Sequence, residues 1–203
     1  MKTFIITGFG RSGTKFLAHI FNRSIEWNVS HEEIVRTLIS KHCSDSTIDD
    51  IHEAFNVGFR GEVNSYYREI LPRLNARRKA LILRKPRDII TSSFNWNNGS
   101  LDDNRISQIK RGLNDVDRLI DCGFKYFLFE QTASSSEYLI NIARYVGITD
   151  LTVSDIDLNP INNSNVQHVQ HYSELPIDIQ TKCSDFVQAF EDKYLTIWNS
   201  VGV

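Results

Sequence analysis

The sequence predicts an α/β fold with a central parallel sheet flanked by helices. Three short and largely apolar segments, Thr3–Thr7, Ala80–Arg84 and Lys125–Glu130, have the composition of strands that are buried on both faces. Each is followed by a loop and then by a helical pattern of apolar residues. Two weaker strands are predicted at Trp27–Val29 and Val57–Phe59. Strands that alternate with helices in this way indicate a parallel sheet covered on both faces.

Helices are predicted where apolar residues recur at a spacing of three or four. Asp103–Cys122 ends before Gly123, and a capping box at Ser134–Glu137 begins a helix that runs to Val146. Pro72 is expected to kink or stop the helix that contains it. The other predicted helices are Thr14–Arg23, Glu32–His42, Ile48–Phe55, Tyr66–Asn75, Arg87–Trp96 and Ile177–Asn199.

Composition and charge are those of an ordinary globular protein. The 203 residues are 41% apolar, carry a formal net charge of −2 and contain no linker or repeat, so we expect a single domain over residues 1–203. The near-neutral charge argues against a protein held to nucleic acid by bulk electrostatics. Cys43, Cys122 and Cys183 fit no metal-ligand spacing, which indicates reduced thiols. With no signal peptide and no membrane-spanning apolar run, we expect a cytoplasmic protein.

A glycine-rich loop, Gly8–Thr14 (GFGRSGT), connects the first predicted strand to the first predicted helix. Glycines at such a point allow positive φ angles and let backbone N–H groups approach an anion, and the helix N-terminus adds partial positive charge. The loop therefore predicts a cradle for the phosphate groups of a nucleotide. The residues expected to hold these phosphates are Gly10, Arg11, Ser12, Gly13, Thr14 and Lys15.

Two established phosphate-binding patterns fit parts of this loop. Its three glycines satisfy the G-x-G-x-x-G pattern of dinucleotide sites, and Glu32 or Glu33 lies about twenty residues further on, as such a site requires. The first and last glycines also have the outer spacing of a Walker A loop, although Thr14-Lys15 places the lysine one position late. Glu130 at the end of an apolar strand could then serve as a Walker B acid, which keeps a nucleotide-dependent kinase open.

A second candidate phosphate site follows the strand predicted at Ala80–Arg84. Lys85-Pro86 ends that strand, and Asp88 suits the first turn of the next helix. Arg84 and Ser92 can both face the first loop at the C-terminal edge of the sheet, where ligands bind in open α/β sheets. An arginine together with a hydroxyl suits a terminal phosphate monoester.

Both motifs resemble those of sulfotransferases that use 3′-phosphoadenosine 5′-phosphosulfate (PAPS). Arg11–Thr14 is similar to the 5′-phosphosulfate loop of that family, and Arg84–Asp88 followed by Ser92 is similar to its 3′-phosphate motif, Arg-x-Pro-[Arg/Lys]-Asp ending in Ser. Phe127–Glu130 and the helix that closes at Gly147-Ile148 resemble a third family segment. The resemblance implies a three-layer P-loop-like fold, PAPS as cofactor and metal-independent transfer of a sulfonate group to an acceptor hydroxyl.

The resemblance also suggests a general base. In the tyrosylprotein branch of the family a Glu-Glu pair follows the loop at almost the same distance, and its catalytic glutamate falls on Glu32. Glu32 follows the second strand, whose C-terminal end we expect beside the phosphate loop. His31 competes for the role because imidazole titrates near neutrality, and Glu62 is a further candidate. Arg11 would stabilise charge on the transferred sulfonate.

The chain departs from the family pattern at two points, and these departures bear on which branch of the family it resembles. The segment Gly61–Tyr66 lacks the lysine that often lies near the sulfonate, and the Arg-Lys-Gly loop of the cytosolic branch is absent. The chain is therefore similar to the carbohydrate and tyrosylprotein branches, with a carbohydrate, a tyrosine or a small alcohol as acceptor and a glycan as the first choice. The non-enzymatic alternative is a nucleotide-binding module that kept the fold and lost turnover.

Overall fold

The computed structural model describes residues 3–9, 12–33, 49–50, 53, 61–65, 70–159 and 168–199. The chain divides into two compact units. The first, which we call the sheet unit, comprises Met1–Leu83 and Asp117–Ile161, and the second, which we call the helical unit, comprises Arg84–Val116 and Asn162–Val203. The expectation of one domain over residues 1–203 stays a prediction.

The sheet unit is built on five parallel strands. They are β1 (Phe4–Gly8), β2 (Val29–His31), β3 (Gly61–Asn64), β4 (Arg78–Leu83) and β5 (Lys125–Leu128). Their order across the sheet is β2-β3-β1-β4-β5, and every neighbouring pair is parallel. The predicted α/β class with a central parallel sheet flanked by helices is confirmed, and it is consistent with a three-layer P-loop-like fold.

Six α-helices are described in the ranges given above. They are α1 (Thr14–Phe21), α2 (Pro86–Trp96), α3 (Asp103–Asp121), α4 (Phe129–Thr132), α5 (Ser136–Val146) and α6 (Ile177–Asn199). Short 3₁₀ turns occupy Leu71–Arg73, Val153–Asp155 and Tyr172–Glu174. Within the described residues, no helix is both long enough and apolar enough to cross a membrane.

Both faces of the sheet are buried. On one face, which we call the α1 face, apolar strand side chains form a core with α1 and α5; its strand members are Phe4, Ile6, Val29, Val63, Ala80, Ile82 and Phe127. Side chains alternate along a strand, so the next residues point to the opposite face. That face carries apolar residues on β1 and β4 but polar residues on β3; these are Ile5, Leu81, Leu83, Glu62 and Asn64, all buried. Burial on both faces explains why β1 and β4 are apolar without alternation.

The predicted end of the fifth strand is wrong. β5 stops at Leu128, and Phe129 and Glu130 are the first residues of α4. The chain turns helical there because the Thr132 hydroxyl donates to the Leu128 carbonyl at 2.8 Å and the Ala133 N–H donates to the Phe129 carbonyl at 2.8 Å. Local bonds of this kind replace the ladder bonds that a longer strand would make.

The capping box predicted at Ser134–Glu137 is displaced by one residue. Ser135 is the N-cap of α5, and its hydroxyl accepts the Tyr138 N–H at 3.1 Å. The Ser134 hydroxyl instead donates to the Glu130 carbonyl at 2.7 Å, which ties it to α4. Because the Ser134 hydroxyl is already bonded to α4, the next serine, Ser135, caps α5.

The weaker strand predictions need correction. β2 begins at Val29, where the predicted strand Trp27–Val29 ends, and the predicted strand Val57–Phe59 lies outside the described residues. The structure places β3 at Gly61–Asn64, between β2 and β1, so the second strand is not the direct neighbour of the first.

The predicted helices between Glu32 and Asn75 lie partly outside the described residues. Where they are described, Glu32 has a φ of 57° and is not helical, and Leu71–Arg73 forms only a 3₁₀ turn that contains Pro72. The helix predicted at Ile177–Asn199 is confirmed at both ends, and Asp103–Cys122 is confirmed to within one residue.

The helical unit contains α2, α6 and most of α3. The Arg87 guanidinium donates to the Glu191 carboxylate at 2.9 Å, and the Lys182 ammonium donates to Asp103 at 2.6 Å. Asn95 fastens the segment before α6, since its side-chain oxygen accepts the His168 N–H at 2.9 Å. These polar contacts tie the helices of the unit to one another.

The two described cysteines are free thiols. Cys122 is exposed and Cys183 is buried, while Cys43 lies outside the described residues. Burial raises the pKa of the Cys183 thiol to about 11, so this sulfur stays protonated and unreactive at neutral pH.

Candidate active site

The first element of the site is the N-terminus of α1. Gly13 is its N-cap, with φ 72° and ψ 17°, and its carbonyl accepts the Leu17 N–H at 2.9 Å. The N-cap makes no side-chain hydrogen bond, and the first turn of α1 contains no acidic residue. The N–H groups of this turn therefore present partial positive charge that suits an anion. Of the predicted loop residues, Gly10 and Arg11 lie outside the described residues.

At two positions of the loop, neighbouring atoms lie so close to the backbone that only glycine fits without a shift of the structure. A Cβ on Gly13 would lie 2.9 Å from Cε2 of Phe129, and its positive φ adds strain for any other residue. A Cβ on Gly8 would lie 3.0 Å from the Ser12 Cβ and 3.2 Å from the Ile82 carbonyl oxygen. The loop is therefore packed tightly against its surroundings.

Two buried hydroxyls border this loop. Thr7 and Ser12 are fully buried, and neither side-chain oxygen has a hydrogen-bond partner within the described part of the chain. An unsatisfied buried hydroxyl costs about 1–3 kcal/mol, so a ligand that bonds to it is favoured. The Ser12 hydroxyl beside a helix N-terminus fits the chemistry of a phosphate or sulfonate oxygen.

The second element of the site is His31, the last residue of β2. Its Nε2 lies 3.2 Å from the Thr14 hydroxyl oxygen, and Thr14 is the first residue of α1. The same nitrogen lies 3.8 Å from Oε1 of Glu32. Burial lowers the pKa of His31 most; the Glu32 carboxylate opposes this effect, and the Lys15 ammonium adds to it. The imidazole is therefore neutral at pH 7, and its Nε2 can exchange a hydrogen bond with the Thr14 hydroxyl, whereas Glu32 lies beyond hydrogen-bond distance.

The third element is Glu32, which adopts a left-handed backbone conformation with a φ of 57°. Its N–H donates to the Val63 carbonyl at 3.1 Å, which docks the turn on β3. Its Oε1 accepts the Ser65 N–H at 3.3 Å and the Ser65 hydroxyl as well. These contacts and the approach of His31 all use Oε1, which leaves Oε2 without a partner among the described residues.

Ser65 is a residue of the candidate site that sequence reasoning missed. It follows β3 directly and supplies both hydrogen bonds to the Glu32 carboxylate. The sequence signal available was a serine after the short segment GEVN, which does not have the apolar composition of a buried strand. Without β3 in its place, no pattern relates Ser65 to Glu32.

Glu62 lies apart from this cluster, on the opposite face of the sheet. It is fully buried; Oε2 is bonded to the Ser30 hydroxyl, and Oε1 accepts the Asn64 amide at 3.3 Å. Burial raises the pKa of Glu62 to about 7; the bonds from Ser30 and Asn64 oppose that rise, while the charges of Glu32 and Glu33 add to it. Its oxygens are engaged inside the sheet, so Glu62 is less accessible to an acceptor than Glu32.

The second phosphate motif belongs to the helical unit. β4 ends at Leu83, Arg84 and Lys85 form the turn, and α2 begins at Pro86. The predicted order of strand, turn and helix is confirmed, and proline at the first helical position is favourable because its missing N–H has no intrahelical partner there. Arg84 and Ser92 are both half-buried. Their role in binding a 3′-phosphate stays a prediction.

The structure thus brings Thr14, His31 and Glu32 together and adds Ser65 to them. Lys15 is exposed on α1, and within the described ranges no group of three or more His, Cys, Asp or Glu residues is arranged to hold a metal ion.

No protein-family model matches the chain, and no curated protein matches it significantly. A function for this chain therefore has to be proposed from its own residues.

Proposed function

We propose that the chain is a PAPS-dependent sulfotransferase, which moves a sulfonate group to an acceptor hydroxyl. The observation that carries the proposal is the contact chain from Thr14 through His31 to Glu32, with steps of 3.2 and 3.8 Å. It joins the N-terminus of α1, which suits an anion, to a carboxylate with one oxygen available. Sulfuryl transfer needs both a site for the anionic donor and an acceptor for the proton.

The residues present fit the donor. The N–H groups at the start of α1 and the buried, unpartnered Ser12 hydroxyl would hold the 5′-phosphosulfate, together with Gly10 and Arg11 of the resembling motif. Arg84 and Ser92 are assigned to the 3′-phosphate by the resemblance alone. When bound, PAPS supplies the sulfonate and, as leaving group, adenosine 3′,5′-bisphosphate.

The protein's own contribution to the transfer is proton acceptance and charge stabilisation. Glu32 takes the proton of the acceptor hydroxyl on Oε2 while Ser65 holds Oε1. The acceptor oxygen then bonds to sulfur as the bond from sulfur to the leaving phosphate oxygen breaks. The helix N-terminus and Lys15 offset negative charge on the leaving group. Neutral His31 bonds to Thr14 and lies next to Glu32, between the base and the start of α1.

The rival nucleotide enzymes are less well supported. A dinucleotide enzyme has no need of the 3′-phosphate motif at Arg84–Ser92. The kinase interpretation expected Glu130 at the end of a strand, whereas Glu130 is the second residue of α4. A kinase and a non-catalytic nucleotide-binding module remain the alternatives that the experiment below distinguishes. A glycan is the first choice of acceptor, by analogy with the branch that the chain resembles.

The test is direct transfer of labelled sulfonate. The protein is incubated in EDTA with PAPS labelled in the sulfonate and with a panel of oligosaccharides, tyrosine peptides and small alcohols. The expected result is label in one acceptor class, and none with the Glu32→Gln variant. Phosphoryl transfer from ATP and Mg²⁺ would favour the kinase, and PAPS binding without transfer to any acceptor would favour the non-catalytic module.

A further inference from the structure

Glu62 occupies an unusual position for an ionisable residue. It lies in β3, which has strands on both sides, and in the ladder it pairs with Ser30 of β2 and Ile5 of β1. None of its surface is exposed. A carboxylate in such a place is costly unless several donors compensate for the water it has lost.

All the hydrogen bonds around Glu62 can be made at once when the side chain is protonated. The Ser30 hydroxyl has one hydrogen, yet its oxygen contacts both Oε2 of Glu62 and the Gly61 carbonyl oxygen, the latter at 3.3 Å. A proton on Oε2 can be donated to Ser30, which leaves the Ser30 hydrogen for Gly61. Oε1 then acts as the carbonyl oxygen that accepts the Asn64 amide at 3.3 Å. Every hydrogen is used once, and no contact is left without one.

The electrostatic surroundings agree with this hydrogen count. Among the described residues, the charged groups that act on Glu62 are Glu32 and Glu33, and both raise its pKa, as burial does. From β1, the ladder partner Ile5 brings no charge. A carboxylate at Glu62 would therefore face two acids and would have, within the described part of the chain, hydrogen bonds only from Ser30 and Asn64.

Ser30 connects Glu62 to the candidate active site. It is followed immediately by His31 and Glu32, which contact Thr14 and Ser65. We propose that Glu62 is a positioning residue that works as a neutral acid, fastening Ser30 to β3 and thereby fixing the turn at His31 and Glu32. The inference rests on the proposed function only where it names Glu32 as the base.

The neutral acid also couples to anion binding at the loop. A polyanion bound at the start of α1 would lie beside His31 and Glu32, and its charge would act on Glu62 in the same direction as the Glu32 carboxylate, which already raises the Glu62 pKa. Binding of adenosine 3′,5′-bisphosphate should therefore take up a proton. With a pKa of about 7, Glu62 can take up at most about half a proton for each bound ligand at pH 7.

Glutamine and alanine variants separate the neutral acid from other roles. In Glu62→Gln the amide N–H donates to Ser30 and the amide oxygen accepts from Asn64, as in the protonated acid. Glu62→Ala removes both bonds. The control Glu33→Gln removes the same charge from an exposed neighbouring residue. The readout in ligand-free protein is the NMR signal of the His31 ring between pH 6 and pH 8.

The expected result is that Glu62→Gln has wild-type His31 shifts at pH 6 and, on raising the pH, shows only the titration of the His31 ring itself. It should lack the additional change with a midpoint near pH 7 that the wild type and Glu33→Gln show. Glu62→Ala should shift the His31 signals already at pH 6. If Glu62→Gln disturbs His31 as much as Glu62→Ala does, the neutral acid is not the working form and the proposal fails.

Infrared spectroscopy of the wild type tests the same point without any variant. With ¹³C-labelled glutamate, a protonated carboxyl band should be present at pH 6 and disappear as the pH passes 7; its absence at pH 6 would overturn the proposal. Calorimetry in buffers of different ionisation enthalpy then measures proton uptake with the bisphosphate. If neither the wild type nor any variant binds the bisphosphate, the proposed function fails. The spectra of the ligand-free protein still decide the role of Glu62.

Discussion

Ser65 donates both its backbone N–H and its hydroxyl to Oε1 of Glu32. The two residues are separated by 33 positions and meet because β2 and β3 are neighbours in the sheet. A left-handed backbone costs a non-glycine residue about 1–2 kcal/mol, and the bonds from Ser65 together with the bond from the Glu32 N–H to Val63 offset this cost. The carboxylate is thereby held through Oε1, while Oε2 has no partner among the described residues.

The first prediction concerns the base. Glu32→Gln keeps the shape of the side chain and removes the proton acceptor, so turnover should fall about 10²–10⁴-fold. Affinity for adenosine 3′,5′-bisphosphate should change little, since the bisphosphate contacts assigned above do not use Glu32. Steady-state kinetics and calorimetry measure the two quantities.

Glu33→Gln is the matched control for that variant and should retain turnover, because Glu33 is exposed and lies outside the contact chain. His31→Asn should lose less activity than Glu32→Gln. If Glu32→Gln has near-normal turnover and His31→Asn is inactive, the general base is His31 and not Glu32.

The second prediction concerns the residue that holds the base. Ser65→Ala removes one of two hydrogen bonds to Oε1 and keeps the backbone bond. We expect a loss of stability of about 0.5–1.5 kcal/mol in urea unfolding and a smaller fall in turnover than with Glu32→Gln. Ser65→Thr keeps the hydroxyl and should restore part of the activity. An unchanged turnover in Ser65→Ala would show that the hydroxyl does not position Glu32.

The third prediction concerns the loop glycine. Gly13→Ala imposes a left-handed φ on alanine and also brings its Cβ to 2.9 Å from Phe129. Gly123→Ala is the matched control, because Gly123 has a φ of 85° and nothing within 4 Å of the added Cβ. Gly13→Ala should cost about 1–3 kcal/mol more than the control in urea unfolding, owing to the steric overlap. Equal costs would mean that Phe129 moves aside freely.

The fourth prediction is a pH dependence of stability that originates in Glu62. Its folded-state pKa of about 7 lies above the ordinary value of 4.5, so the folded state binds the extra proton between these pH values. The contribution of Glu62 to stability is therefore fully present below about pH 4.5 and is lost as the pH rises to about 7. The loss should be about 3 kcal/mol relative to Glu62→Gln, measured as the difference between the two urea-unfolding curves at each pH. A difference that stays constant with pH would show that Glu62 titrates normally.

Local sequence patterns were sufficient for the elements that bury apolar side chains. Phe4–Ile6 of β1 and Ala80–Leu83 of β4 are continuous apolar segments because both faces of the sheet are covered there, and α6 has the long helical periodicity that predicted both of its ends. The positive φ of Gly13 follows from the need for a left-handed residue before α1, which glycine meets without strain.

The elements that bury polar side chains could not be predicted in the same way. β3 contains Glu62 and Asn64, whose burial is compensated because they bond to each other and because Glu62 also bonds to Ser30 across the sheet. Glu32 was expected in a helix, as glutamate suits a first helical turn, but its bonds to Ser65 and Val63 impose a left-handed turn instead. These partners lie about thirty residues away, beyond the reach of local periodicity.

The proposal that the chain uses PAPS is tested most directly by calorimetry that compares adenosine 3′,5′-bisphosphate with 5′-AMP in the presence of EDTA. The bisphosphate should bind at least about tenfold more tightly, because charge-assisted bonds to a phosphate are worth about 1.5–3 kcal/mol each. Arg84→Ala should remove most of this difference and leave the affinity for AMP unchanged, whereas Arg87→Ala, whose guanidinium is bonded to Glu191, should preserve it. Equal affinity of the wild type for the two nucleotides, or binding that requires Mg²⁺, would contradict the proposal.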